Sequence, residues 1–349
     1  MQWKGRFAGY YRTHQTVLQV CALMLKHGTA NCRQMMRRDQ TLILPVCNYW
    51  SAHSVMEWSV VGELLANAVV TGILLGGFYA AVALGISIAF GMLDIANISH
   101  PAMIVLGSFI AYYFNAQWGI DPLLLMFPAA LVFALYGAGL YGLYYRLFES
   151  REKDQRRGLA FFFGLLFVTE VGLILIFGVD LRSVDTSYGE VVLSLGFVSI
   201  PVRLLVPFLI GIVMIVGLHY FLNKTYFGLA VSAISQDMLG LRLMAIDPIK
   251  IKQLTFGLSL ASAAFAGAAL IIIQPIEPSI GREYIGRVFA VCVLGGMGSL
   301  QGTLIAALLL GTAESITSTF VGPSWAPAVG FGLLLLTLAF KPEGLMTRK

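Results

Sequence analysis

Residues 64–91 read LLANAVVTGILLGGFYAAVALGISIAFG. Nothing in this run is charged, and it lacks the strict apolar–polar alternation of a half-buried strand. A helix of roughly 20 apolar residues crosses the hydrocarbon of a bilayer, and this run is longer than that. Inside it lies one GxxxG pair, Gly72 and Gly76, a spacing that lets two membrane helices approach closely. The fold class follows: an all-α integral membrane protein. A transmembrane barrel, whose strands alternate between lipid and lumen, is excluded by unalternated runs of this length.

Composition agrees. Of 349 residues 58% are hydrophobic and 12% charged, where a soluble domain carries about a quarter charged residues. The mean hydropathy is +0.81, more apolar surface than a soluble fold of this size can hide. The 37 glycines fit close helix packing in lipid. A net charge of +5 is read as orientation signals in loops, with no nucleic-acid partner. Cys21, Cys32, Cys47 and Cys292 show no CxxC and no zinc spacing, so neither a disulfide framework nor a metal site is expected.

Outward from residues 64–91, further apolar segments occupy 101–114, 123–145, 159–178, 204–222, 254–273, 288–297, 300–320 and 326–340. The segments 101–114 and 288–297 are short for a crossing and are expected to be broken or partial, held among other helices. The chain therefore has about eight to nine transmembrane or partly spanning helices. Basic residues orient them. Five Lys or Arg fall in 146–157, four in 223–252, and Lys341, Arg348 and Lys349 in the tail. These segments read as cytoplasmic. The loop 115–121 has none, and 181–203 has only Arg182 and Arg203, while 275–287 adds Arg282 and Arg287.

Parity then puts the start of the first span outside, although residues 1–55 hold seven Lys or Arg. Two readings compete: residues 64–91 form more than one crossing, or residues 1–55 are a basic extension from a start misplaced upstream of Met56. Met56, Glu57, Trp58 and Glu63 make an uncharged-to-acidic lead suited to an outside terminus, which favours the second. The expected organisation is an extension over 1–55 and one transmembrane domain over 56–349, with a cytoplasmic loop at 223–252. Val17–Leu25 is too short, and too soon followed by Lys26 and His27, to make a convincing signal peptide.

Several segments taken in order carry a resemblance. Residues 77–85 (GFYAAVALG) look like a first-helix pattern, 94–100 (DIANISH) resemble an Asn-Phe-Ala-His-Gly turn, 293–302 (VLGGMGSLQG) an Leu-Gly-Gly-Leu-Gly-Ser-Leu-Pro-Gly element, and 341–345 (KPEGL) an Arg-Pro-Gln-Gly-Leu ending. From about Glu63 onward the chain thus resembles the branched-chain amino acid permeases of ABC importers, in the subgroup that pairs two related permeases. Ile98-Ser99 replaces Phe-Ala, and Pro101 stands where that family usually has Gly. The resemblance implies a multi-pass protein of the cell inner membrane, a paralogous permease partner, cytoplasmic ATP-binding subunits and an extracytoplasmic solute-binding protein. It implies that ATP is bound by those partner subunits, and no cofactor by this chain. Branched-chain or similar amino acids are the implied substrates, with urea or short amides as relatives and an ion-coupled secondary carrier as the alternative from another class.

Residues 225–247 keep Leu239, Leu243, Met244 and Ile246 apolar inside a basic loop. Helical spacing of such residues makes a half-buried helix, which lies either on a partner or on the membrane surface. By the resemblance this is the coupling loop that docks on the ATPase, with Gln236, Asp237, Leu241, Ile246 and Asp247 as contacts; the Arg that the family commonly places near Ser232 is absent. Glu170 and Glu314 lie within apolar spans, where carboxyl groups are costly; each lines a path or bonds a neighbouring helix. Asn97 and His100 sit at a break between apolar runs and serve the turn or the path. Gly295, Gly296 and Gly298 allow a bend or close approach. No GxxxxGK[ST], HExxH or GxSxG occurs, so this chain is expected to hydrolyse nothing itself.

Overall fold

The computed structural model describes residues 40–349, apart from 94, 150–154, 197, 237, 342 and 347–349. The chain divides into residues 1–62 and 63–349. Most of the expected extension, residues 1–39, therefore lies outside the described residues, as do Asp94 and Pro342 of the motifs quoted above.

Eleven helices are described: α1 (Gln40–Leu93), α2 (His100–Trp118), α3 (Pro122–Tyr144), α4 (Gln155–Phe177), α5 (Val202–Lys224), α6 (Tyr226–Ile234), α7 (Met238–Leu243), α8 (Pro248–Ile273), α9 (Gly281–Gly295), α10 (Leu300–Phe320) and α11 (Ala326–Phe340). Among the described residues, seven helices are long and apolar enough to cross a membrane: the 60–93 part of α1, then α3, α4, α5, α8, α10 and α11. The two segments expected to be partial are α2 and α9, which brings the total to nine elements in the bundle. This is a multi-pass membrane protein.

Local sequence sets many of the boundaries. Asp121 caps α3 by accepting from the Leu123 amide at 2.8 Å, and Asp247 caps α8 through the Ile249 amide at 3.0 Å. In both, proline follows at the first helical position, where its missing N–H costs nothing. Ser299 does the same for α10 through Gly302. Between α4 and α5 a hairpin unforeseen in the sequence forms, β1 (Val192–Leu195) paired antiparallel with β2 (Val198–Pro201). It is tied to α1 where the Ser199 amide donates to Asn67 Oδ1 at 2.8 Å.

Burial sorts the helices. In α1 and α8, 83% and 78% of the most apolar stretch is buried, against 39% or less in the other five. These two are the interior of the bundle. α8 packs on α3, α2 and α5, while α9 packs on α10 and α11. α1 meets α10 where Gly76 faces the backbone of Ala307 and Leu308, and Gly311 in turn faces Gly72 and Gly76. The GxxxG pair read from the sequence is thus a backbone-to-backbone contact.

One correction concerns α9. The sequence placed Arg282 and Arg287 in a loop and started the apolar segment at Val288, yet the helix begins at Gly281. Both arginines are helical because carboxylates on other helices receive them, as described below. The structure also gathers the basic segments at one end. Lys252 bonds Glu149 at 2.7 Å, and Met92, Asn223, Gln301 and Met346 line one cavity of about 260 Å³. At the other end, Tyr188 donates to Asp121 at 3.0 Å and Arg182 bridges Ile276.

Gly76→Val is expected to destabilise the bundle by about 1–3 kcal/mol, because the added carbons meet backbone rather than a movable side chain. A lowered melting midpoint of the detergent-solubilised protein checks this, with Gly139→Val, which meets open space, as the control that leaves it unchanged.

Candidate functional site: a coupling surface and a polar interior

The loop leaving α5 folds on itself. Thr225 caps α6 through the Gly228 amide at 3.1 Å, and α7 closes back so that Ala230, Ile234 and Leu241 form a small apolar core with Met238 and Ile246 against it. Ala245 then takes a left-handed turn at φ 59°, and Asp247 starts α8. Of the contacts expected here, Gln236 and Asp247 are exposed, Ile246 is half-buried and Leu241 is buried at 5%. Asp237 lies outside the described residues. Leu241 therefore holds the two short helices together, and the outward apolar surface is made by Tyr226, Leu243 and Met244, exposed at 93%, 80% and 76%. Sequence periodicity found Leu243 and Met244 but not which face each one takes, and it did not single out Tyr226.

Inside the bundle the two carboxylates have partners the sequence did not identify. Arg282 on α9 grips Glu170 on α4 with two hydrogen bonds, Nε to Oε2 at 2.8 Å and a terminal nitrogen to Oε1 at 2.5 Å. Arg287 donates to Glu314 on α10 at 3.2 Å, and Tyr79 on α1 donates to the other oxygen of Glu314 at 2.6 Å. Five residues on a helix turn through about 140° beyond a full circle, which is why the two arginines reach different helices. That spacing was the available signal.

The break after α1 returns the chain into the bundle. Asn97 Oδ1 accepts from the Ser99 amide and hydroxyl at 3.1 and 2.6 Å, and α2 starts at His100. The His100 ring lies against Gly85, about 12 Å back from the end of α1 at the helical rise per residue. α9 begins beside it, with Gly281 facing Pro101 and Ala102. His100 and Asn97 are fully buried. Neither ring nitrogen of His100, nor the amide nitrogen of Asn97, makes a well-formed hydrogen bond among the described residues, although the Val82 carbonyl is within reach of the His100 ring. A buried polar group left so costs about 1–3 kcal/mol, which marks this spot as unusual.

The glycines lie elsewhere. Gly296 and Gly298 hold φ at 93° and 82°, and the tail clasps the turn, the Leu345 amide donating to Leu294 O at 2.8 Å and that of Met346 to Gly295 O at 3.2 Å. Segments 293–302 and 341–345, far apart in sequence, are one contact at the basic end. The residues expected at the path or helix break thus separate: Asn97 and His100 at the break after α1, Glu170 and Glu314 in two ion pairs, and Gly295, Gly296 and Gly298 in the clasp.

A bundle of membrane-crossing helices with two shorter inner helices and a folded loop at its basic end describes a multi-pass membrane protein. Residues 68–338 match the family described as the permease component of the branched-chain amino acid transport system, and the chain belongs to that family. Over 295 residues it is 29% identical to the high-affinity branched-chain amino acid transport system permease protein BraD of Pseudomonas aeruginosa, covering 80% of this chain and 94% of that protein. With LivH of Escherichia coli it shares 29% over 294 residues, 79% of this chain and 94% of LivH. With LivM of Salmonella typhimurium it shares 27% over 149 residues, 41% of this chain and 35% of LivM. No solved structure matches.

Glu314→Gln removes the buried carboxylate beside Arg287, which is only 15% exposed, and leaves it the exposed Glu283 at 3.9 Å. Removing one partner of a buried pair costs about 3–5 kcal/mol. The expected result is a clear fall in thermal midpoint, partly restored in the Glu314→Gln/Arg287→Gln double variant; additive losses in a double-mutant cycle would show the pair to be uncoupled.

Proposed function

We propose that the chain is the membrane-spanning permease of an ATP-binding-cassette importer that carries branched-chain or similarly small amino acids across the cell inner membrane. The observation that carries this is the family match over residues 68–338, supported by relatives named as permeases of branched-chain amino acid systems. The partial likeness to LivM supports pairing with a paralogous permease. The basic end is cytoplasmic by the positive-inside rule. There the α6–α7 surface offers Tyr226, Leu243 and Met244 to a groove on an ATP-hydrolysing subunit, in the manner of a helix in a groove. ATP is bound and hydrolysed on that subunit, an extracytoplasmic solute-binding protein delivers substrate, and this chain carries no cofactor of its own. The permease domain is residues 56–349.

In this reading closure of the ATPase pair pushes the loop as a unit, because Leu241 knits α6 to α7. The Asp247 cap passes the motion into α8, and packed helices shift as rigid bodies. The ion-coupled alternative needs a carboxyl free to exchange protons, whereas Glu170 and Glu314 are each held by an arginine.

The test is a mild-detergent pull-down of the tagged chain from native membranes, together with uptake in cells. Leu243→Asp is expected to lose the ATPase subunits and to lower amino-acid uptake at least about tenfold, the scale of an interface hot spot, while the paralogous permease is still recovered. Recovery of the unaltered chain alone, with uptake abolished by an uncoupler, would instead establish a secondary carrier.

A further inference from the structure

The bundle is open between α3 and α5. Behind that opening lies a cavity of about 540 Å³ whose inner wall is formed by α8 and by Leu84 of α1. Phe127, Leu209 and Val213, all well exposed, form its rim. Every side chain lining it is apolar except one, the hydroxyl of Ser262. Ser262 and the ring of His100 both reach into the volume that a side-chain carbon on Gly85 would fill. The hydroxyl in the wall and the imidazole behind it are therefore neighbours across a glycine. Ser262 gives its proton to Ser259 O at 2.6 Å, and Ser259 gives its own to Gly85 O at 2.7 Å. The Ser262 oxygen is left with acceptor capacity.

We propose that this corner is a solute site of the permease, built for a zwitterionic amino acid with an apolar side chain. The proposal rests on the importer reading above. Small-molecule sites of roughly 300–1,000 Å³ are mostly apolar, with a few placed polar groups that fix orientation, and this cavity has that composition. The apolar slot takes the branched side chain. A neutral imidazole offers one donor and one acceptor, a match for a carboxylate and an ammonium together, and Ser262 oxygen is a second acceptor for the ammonium. This gives the fully buried ring of His100 a partner, which arrives with the solute. It also explains why Gly85 has no side chain, since one would separate Ser262 from His100.

The test uses the complete transporter, purified with its partner subunits and reconstituted in proteoliposomes with ATP. Uptake of radiolabelled leucine and alanine is compared for the unaltered complex, Ser262→Ala, Ser262→Leu and His100→Gln. One or two methylene groups of pocket volume discriminate roughly tenfold or more. Ser262→Leu should therefore lower the leucine-to-alanine ratio by about tenfold, and Ser262→Ala should raise it. His100→Gln should slow both solutes alike. Opposite shifts from one position are not produced by misfolding, and Ser262→Val carries the same expectation where the Leu variant does not assemble. An unchanged ratio in a complex that transports leucine overturns the site and leaves the importer reading standing. Loss of the paired permease from the Ser262→Leu complex, with the ratio unchanged, overturns it too and makes the slot an assembly surface. If the unaltered complex moves neither amino acid, both the importer reading and this ligand class fall.

Discussion

Lipid tails are as apolar as leucine, so two membrane helices gain little from hiding apolar surface against each other. What holds such a bundle is how near the backbones come and which polar groups cross between them. In this protein both are concentrated on α1. Gly76 brings it into backbone contact with α10. Its carbonyls accept from side chains of three other helices: Ala68 O from Ser315 at 2.7 Å, Gly85 O from Ser259 at 2.7 Å, and Ala83 O from the Cys292 thiol at 3.6 Å. Ser87 meets Thr303 of α10 at 3.0 Å. The other helices take their places around the most apolar stretch of α1, 83% of which is buried.

Charge supplies the second constraint, and it acts on α9. A 15-residue helix is too short to be fixed by burial alone. Its two arginines, pointing to different sides, pin its rotation to α4 through Glu170 and to α10 through Glu314. A guanidinium is always charged, and its planar fork suits a carboxylate held by two bonds, as at Glu170. Stability is not the evident gain, since an apolar replacement of a buried pair is often as stable. The gain is orientation: α9 begins beside the start of α2, and that junction stays in place only while α9 cannot turn.

Much of this was legible from the chain. The run at 64–91, the starts of α10 and α11, and the Asp-Pro caps of α3 and α8 are local signals, and local signals survive translation into structure. Three features were not. Arg282 and Arg287 looked like loop residues because the carboxylates that receive them lie 112 and 27 positions away in sequence. In the coupling loop, helical spacing singled out Leu243 and the resemblance Leu241, yet only the fold of α6 on α7 shows that Leu241 faces in and Leu243 out. The hairpin at 192–201 carried a readable sign, a glycine turn at Gly196 between two runs rich in Val, Leu and Ile, which the surrounding apolar helices overshadow.

One element joins the coupling surface to the polar interior. α8 starts at Pro248, just after its cap Asp247 where the α6–α7 unit ends, and fourteen residues further, roughly 21 Å along a helix, it presents Ser262 beside His100. Nothing flexible intervenes, since the helix is continuous and its first turn is locked by its cap. Its neighbours touch it partly through small residues, Gly257 facing α3 and Gly267 facing α2, where Ser108 also bonds Gly267 O at 2.7 Å, and partly through rings, Phe256 meeting Tyr141 and Phe265 meeting Phe127 of α3. A displacement imposed at the basic end would thus reach Ser262 almost undiminished, and it would alter the spacing of Ser262 from a histidine that belongs to a different helix. Opening and closing of the polar corner then needs no motion within α8, only motion of it.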